Sequence, residues 1–127
     1  MQDRPTAGEL LETIAWVLED DILPVLEGAK QHQVRIAINL CRILQREWEL
    51  APQADAEEAR RLATLLGRAS ETDGESLNRV LCECLERGED LALEALALPI
   101  LLANVRAKLA VAKPGHDAYD FAEELNE

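Results

Sequence analysis

Aromatic residues are scarce in this chain of 127 residues, at 3 % of the total. The hydrophobic content of 48 % therefore comes mainly from Leu and Ala, with some Ile and Val, so aliphatic side chains must fill the core. Leu and Ala are strong helix formers. We expect an all-α fold with one aliphatic core, and 127 residues is the usual size of one domain.

Positively charged residues are also few: the chain has 13 Lys and Arg residues and 25 Asp and Glu residues, which gives a net charge of -12. This balance disfavours nucleic acids and anionic membrane surfaces as partners. Residues 1–9 contain neither a basic segment nor an apolar run, so we expect no signal peptide and a cytoplasmic location. The most apolar stretch, residues 91–103, is shorter than the roughly 20 residues of a membrane span, so we expect it to be core or interface.

Recognisable catalytic and metal-binding patterns are missing. Neither His32 nor His116 follows a Glu at the three-residue spacing that di-iron bundles use. No Gly-rich phosphate loop or nucleophile elbow occurs. Adjacent carboxylates such as Asp20 and Asp21 diverge on a helix, whereas acid-base catalysis needs convergent groups. We therefore expect no catalytic residue, no metal and no cofactor.

The three cysteines, Cys41, Cys82 and Cys84, are an odd number in stretches with helical periodicity. We expect reduced, partly buried thiols. Cys82 and Cys84 would project about 200° apart on a helix, so they could not chelate one zinc ion together.

Apolar periodicity and end signals predict an antiparallel bundle of four to five helices in residues 1–115, followed by an acidic, at most partly ordered tail in residues 116–127. We expect the connection at residues 22–28 to pack on the core, because it is apolar, and Pro52 to separate two helices. The predicted helices span about residues 6–21, 30–50, 55–66, 77–87 and 90–112.

The last helix has apolar residues at alternating spacings of four and three, which is a heptad-like pattern. We call these residues the seam: Leu91, Ala95, Leu98, Leu102, Val105, Leu109 and Ala112. The opposite side is apolar as well, and Pro99 predicts a kink or a division into two helices.

One face of a small bundle cannot cover so much apolar surface, so we predict a homodimer. The candidate interface residues are Leu91, Leu93, Leu96, Leu98, Ile100 and Leu102. The competing interpretation places this helix at the centre of a five-helix monomer.

The second predicted helix carries polar residues opposite its apolar face. We call them the basic stripe: His32, Arg35, Asn39, Arg42 and Arg46. Residues 30–50 contain four basic and two acidic side chains, a net charge of +2 in an acidic protein. The arginines could form salt bridges to acidic helices or bind an anionic group, and we expect at least one of Arg35 and Arg42 to be paired internally.

Three segments carry a recognisable pattern: Arg4-Pro5-Thr6-Ala7 with Glu9-Leu10-Leu11-Glu12, His32-x-x-Arg35 with Ala37, Asn39, Ile43 and Arg46-Glu47, and Val105-Arg106-x-Lys108-Leu109-Ala110-Val111. Together they resemble a bacterial domain family of unknown function. The resemblance covers most of the chain before Gly115, and the acidic tail departs from it. It implies a small helical protein encoded beside aminoglycoside-phosphotransferase-like kinases and acyl-CoA dehydrogenases. It supplies no catalytic residues.

The apolar last helix, the acidic surface and the lack of a catalytic set predict a non-enzymatic accessory or interaction module with a protein partner. The resemblance implies acyl-CoA-handling or kinase-like enzymes as its setting. The alternative is a small-molecule site, binding or catalytic, in which the basic stripe holds a carboxylate or phosphate.

Overall fold

The computed structural model describes residues 3–69 and 73–115, and within these ranges every regular element is helical. The elements are α1 (Ala7–Val17), a π-helical turn (Leu18–Ile22), a 3-10 turn (Leu23–Val25), α2 (Ala29–Leu66), α3 (Gly74–Arg87) and α4 (Leu91–Ala112). The prediction of an all-α helical bundle is confirmed. The predicted acidic tail, residues 116–127, lies outside the described residues.

Helix α1 begins at the capping box that the sequence predicts. The hydroxyl of Thr6 accepts a hydrogen bond from the Glu9 backbone N–H at 3.2 Å, and the Glu9 carboxylate accepts one from the Thr6 N–H at 2.7 Å. The apolar connection after α1 is buried only in part, since Leu23 and Leu26 are half-buried, whereas Ile22 is exposed and Val25 is 75 % exposed. Its short helical turns satisfy backbone groups locally, so the segment does not depend on burying these side chains.

Helix α2 corrects the predicted boundary at Pro52, because it runs unbroken through this residue for 38 residues. Proline inside a helix lacks one N–H donor and crowds the preceding turn, which costs about 3 kcal/mol. Strong helix formers on both sides of Pro52 and the packing of Leu62 and Ala63 offset that cost. The left-handed Gly67, at φ +64, follows the end of the helix.

The described helices form two compact units, each with its own buried residues. Of the described residues, the first unit contains 3–51 and 110–115, and the second contains 52–69 and 73–109. Gly8, Ala15 and Ile38 are buried in the first unit.

The core of the second unit is wholly aliphatic and draws on three helices. It consists of Leu62 and Ala63 from α2, Leu77 and Leu81 from α3, and Ala97 from α4. Half-buried residues packed against it are Ala59, Leu65, Leu66, Leu85, Leu93, Ile100 and Leu101.

The last two helices begin with aspartate caps. Asp73 accepts a hydrogen bond from the backbone N–H of Ser76 at 2.8 Å, and Asp90 accepts one from that of Leu93 at 3.0 Å. Helix α3 ends at Gly88, as predicted, with φ +63. Helix α4 continues through Pro99 as one helix of 22 residues, so the predicted division into two helices does not occur.

Candidate functional site

The basic stripe lies on the part of α2 that belongs to the first unit, and two of its arginines are engaged there. Arg42 donates through Nη2 to the carboxylate of Glu19 in the π-helical turn. Arg46 donates through Nε to the backbone carbonyl of Val111 at 2.8 Å. Both side chains are half-buried. The internal pairing that we expected of Arg35 or Arg42 is therefore present at Arg42.

The other three members of the stripe, His32, Arg35 and Asn39, are exposed. Arg35 has no ion pair within the described part of the chain. The cation that the stripe offers to solvent is therefore mainly the guanidinium of Arg35. A single exposed guanidinium attracts anions weakly in water, because solvent and salt screen it.

The seam lies on a side of α4 that the second unit leaves uncovered. Leu91 and Leu98 are 77 % and 60 % exposed, and Leu102 and Val105 are 43 % and 51 % exposed. The buried side of the same helix carries Ala97, which packs in the core. The second unit therefore leaves four large apolar residues of the seam exposed at heptad spacing, whereas Leu109 is half-buried.

The six candidate interface residues separate into three groups. Leu91, Leu98 and Leu102 belong to the exposed seam. Leu93 and Ile100 are half-buried against the core of the second unit. Leu96 is exposed but lies about 140° around the helix from the seam, at 100° per residue.

Helix α4 is also the one helix in the described ranges that is long and apolar enough to cross a membrane. The expectation that this region is too short considered residues 91–103, whereas the helix extends to Ala112. Core helices of soluble proteins pass the same test, although only 11 % of this apolar window is buried. Length and composition alone therefore do not assign α4 to a membrane.

A cavity of about 440 Å³, which is open to solvent and has exposed residues on its rim, lies in the second unit between α2 and α4. Its lining residues are Arg60, Arg61, Thr64, Leu65, Leu96 and Ile100. Arg61 contacts Glu57 at 3.3 Å and donates to the side-chain oxygen of Asn104 at 3.4 Å. Arg60 has no ion pair among the described residues.

The sequence analysis did not single out Arg60, Arg61 or Asn104. Two signals were available: adjacent arginines in a strongly acidic chain, and an asparagine within an otherwise apolar stretch of α4. Neither signal shows that the two helices meet at these residues.

The described residues offer no metal site and three free thiols. Within residues 3–69 and 73–115 no group of three or more His, Cys, Asp or Glu side chains could hold a metal ion. All three cysteines are free; Cys41 and Cys84 are half-buried as expected, but Cys82 is exposed. Cys82 points to solvent because it lies on the side of α3 away from the buried Leu77 and Leu81.

Comparison with known proteins gives one match. Residues 24–116 match the sequence model of a family described as a domain of unknown function, DUF6285. The matched range includes α2, α3 and α4, whereas the segment Arg4–Glu12 precedes it. No curated protein and no solved structure matches the chain.

Proposed function

Since the chain belongs to the family of unknown function DUF6285, we propose a function from its surfaces: a non-enzymatic interaction module that acts as a homodimer. The exposed seam of α4 is the observation that carries this proposal. The proposal also includes a bacterial origin of the protein, which rests on the family resemblance, and a cytoplasmic location, which rests on the composition.

The balance of buried and exposed apolar residues supports a missing partner. Among the described residues, seven hydrophobic residues are buried, whereas sixteen large hydrophobic residues are exposed, and four of these sixteen belong to the seam. Single exposed apolar residues are ordinary, but contiguous apolar patches usually mark contact surfaces. The seam is contiguous because its members follow one another at one turn of α4.

A second copy of the same helix fits the seam in an antiparallel arrangement. Heptad layers then place Leu98 against Leu102 of the second copy, and Leu91 against Leu109. These layers fill the interface with the same aliphatic side chains that form the core of the second unit.

The charges that flank the seam also favour an antiparallel pair. Glu94 and Lys108 occupy equivalent flanking positions, so antiparallel helices bring each Glu94 near Lys108 of the second copy. A parallel pair would instead bring Lys108 near Lys113 and leave Glu94 without a cation. The Lys108 side chain is 66 % exposed beside Glu58, which leaves it accessible to a second carboxylate.

A membrane is the less favoured occupant of the seam. One side of α4 is committed to the core through Ala97, so the helix cannot be surrounded by lipid while the second unit is folded. Arg106 and Lys108 in its last third would also be costly in a hydrocarbon layer. A protein surface, by contrast, needs to cover only the exposed side.

Sedimentation equilibrium of matched variants tests the dimer. We expect a wild-type dimer at tens of micromolar and a monomeric Leu98→Glu variant, because two charges would be buried at the centre of the interface. Leu40→Glu is the control, since Leu40 is comparably exposed on α2, and it should remain dimeric. A monomeric wild type at high micromolar concentration, or a dimeric Leu98→Glu variant with native helix content, would exclude the seam dimer.

A charge reversal tests the orientation of the helices. Glu94→Lys should weaken the dimer more than Glu94→Gln does, since in an antiparallel pair the new cation lies near Lys108 of the second copy, and equal affinities of the two variants would contradict this orientation. Flotation with phosphatidylcholine vesicles tests whether a membrane covers the seam instead of a second copy. Binding of both wild type and monomeric Leu98→Glu to these vesicles would overturn the protein-contact proposal.

The accessory role beside acyl-CoA-handling or kinase-like enzymes is supported by the gene setting that the resemblance implies. Co-expression with an acyl-CoA dehydrogenase and a kinase-like enzyme encoded beside the gene tests it by co-elution. We expect at least one of them to co-elute with wild type, and separate elution of both would contradict the accessory role while leaving the dimer unaffected.

The second candidate function is anion binding at the basic stripe, supported by exposed Arg35, His32 and Asn39. We expect Arg35→Gln to leave the melting temperature unchanged and to weaken binding of an anion such as phosphate in a salt-dependent way. Arg42→Gln is the matched control, because Arg42 already pairs with Glu19. Equal phosphate affinity of wild type and Arg35→Gln would exclude this site.

A further inference from the structure

We propose that the cavity between α2 and α4 in the second unit binds a small carboxylate with an aliphatic body, and that Arg60 and Arg61 bind its carboxylate. This inference is independent of the dimer and of the basic stripe, which lies on the other part of α2. The volume of the cavity, about 440 Å³, is within the range of small-molecule sites. Apolar walls with a few convergent polar groups are typical of such sites.

The positive charge at the cavity exceeds the negative charge that it contacts. Arg61 is oriented by two acceptors, the carboxylate of Glu57 and the side-chain oxygen of Asn104. A guanidinium has five N–H donors, so these contacts leave donors of Arg61 for a ligand. Arg60 adds a second guanidinium without an ion pair among the described residues. In a chain of charge -12, two adjacent guanidinium groups that are matched by one carboxylate leave an excess positive charge at the cavity, which favours an anionic ligand.

Asn104 is a buried polar residue that positions Arg61 behind the cavity. Its side chain is 4 % exposed, and its amide nitrogen Nδ2 has no acceptor within the described ranges. The reverse amide orientation would place two donors against each other, because Arg61 is itself a donor, so the oxygen belongs on the Arg61 side. A buried donor without an acceptor costs free energy.

Asn104 also lies in line with the cavity. Leu96 and Ile100 line it, and Asn104 follows one helical turn after Ile100 on the same side of α4. The two arginines therefore form the polar end of the site, where a carboxylate oxygen would accept hydrogen bonds, and Asn104, which does not line the cavity, holds Arg61 from behind through its side-chain oxygen.

The walls distinguish a carboxylate with an apolar body from a bare anion. Leu65, Leu96 and Ile100 supply the apolar walls, which a phosphate ion would not contact favourably. The planar guanidinium matches a carboxylate through paired hydrogen bonds. Because Leu96 lies far around the helix from the seam, ligand binding and dimer formation use different sides of α4.

Isothermal titration with sodium octanoate tests the site. We expect one octanoate per chain, with 1-octanol and inorganic phosphate each binding at least about tenfold more weakly, since one lacks the charge and the other the apolar body. Arg60→Gln should weaken octanoate binding about tenfold without unfolding, because Arg60 is exposed. Arg79→Gln is the matched control, since Arg79 is an exposed arginine of α3 that pairs with Glu75.

A second variant tests whether octanoate binds in the cavity. Thr64→Trp adds bulk at an exposed lining residue, so it should abolish octanoate binding while leaving the helical circular dichroism spectrum unchanged. The monomeric Leu98→Glu variant should bind octanoate as wild type does, which separates this test from that of the dimer. Octanol binding as tightly as octanoate, or unchanged octanoate binding by Arg60→Gln or Thr64→Trp, would overturn the proposal.

Discussion

The carboxylate of Glu58 connects three helices of the second unit. It accepts hydrogen bonds from Asn78 of α3 at 3.0 Å and from Lys108 of α4 at 3.4 Å, and its side chain is only 12 % exposed. Without Glu58, the exposed Lys108 could turn to solvent. The part-buried side chain of Asn78, by contrast, would keep only its bond to the backbone carbonyl of Gly74 at 2.9 Å. The side chain of Glu58 therefore contributes to stability through the groups that it satisfies.

We expect Glu58→Ala to lower the free energy of unfolding by about 1–3 kcal/mol, because Asn78 loses a partly buried acceptor. Glu75→Ala is the control: Glu75 is exposed and pairs only with Arg79, so its loss should change stability by less than about 0.5 kcal/mol. Urea unfolding at one fixed protein concentration measures both. Equal losses in the two variants would show that the Glu58 contacts are no stronger than a surface ion pair.

The candidate sites show which side-chain relations can be predicted from sequence. Helical spacing predicts that Arg35, Arg42 and Arg46 share one side of α2, because it depends only on local geometry. The partners of Arg42 and Arg46 are Glu19 and Val111, which are 23 and 65 residues away. Spacing within one helix contains no information on such contacts. The contact between Arg61 and Asn104 could not be predicted for the same reason.

At the scale of elements, helix ends were more predictable than helix continuity. Thr6 and Gly88 act at the predicted ends, because caps are local hydrogen-bond motifs. Pro52 was interpreted as a boundary, but its cost can be offset by the rest of a long helix. The orientation of α4 was not predictable, since it is apolar on nearly all sides and its buried side depends on α2 and α3.

Pro52 should make α2 less stable than its length would allow. We expect Pro52→Ala to raise the free energy of unfolding by up to about 3 kcal/mol, because alanine restores the missing N–H donor and removes a steric clash. Gln53→Ala, one residue further along, should have little effect. Urea unfolding compares the two. A destabilised Pro52→Ala variant would mean that the fold requires the local geometry that proline imposes.

The N-terminus of α3 should make stability depend on pH. Hydrogen bonds from the backbone N–H and the hydroxyl of Ser76 lower the pKa of Asp73 below its ordinary value of 3.8. The charged form is therefore favoured in the folded state. Its stabilising contribution is present above the unfolded pKa and is lost as the pH falls through the lower, folded pKa.

Asp73→Asn removes this titration but keeps a capping oxygen. We expect the melting temperature of wild type to fall more than that of Asp73→Asn between pH 6 and pH 3, so that the two converge in acid. Ser76→Ala should raise the pKa of Asp73 in an NMR titration, because one of its donors is removed. Parallel pH profiles of wild type and Asp73→Asn would show that the cap does not depend on charge.

At the scale of the whole molecule, charge and apolar exposure act in opposite directions. A net charge of -12 makes two copies repel, whereas the exposed seam favours their association. Added salt screens repulsion between exposed charges but does not remove the apolar contribution. The proposed dimer therefore depends on the leucines of the seam more than on its flanking charges.

Dimer formation also makes stability depend on protein concentration, because the second copy acts as a ligand of the folded chain. A ligand at a hundred times its Kd stabilises the native state by about 2.7 kcal/mol. Raising the protein from its dimer Kd to a hundred times that value should therefore raise the melting temperature by at least about 5 °C. Thermal melts followed by circular dichroism over that range measure the shift.

Leu98→Glu should melt at one temperature throughout, since burying its charge prevents association, and Leu40→Glu should follow wild type. A wild-type melting temperature independent of concentration would show that the seam does not bind a second copy in the folded state.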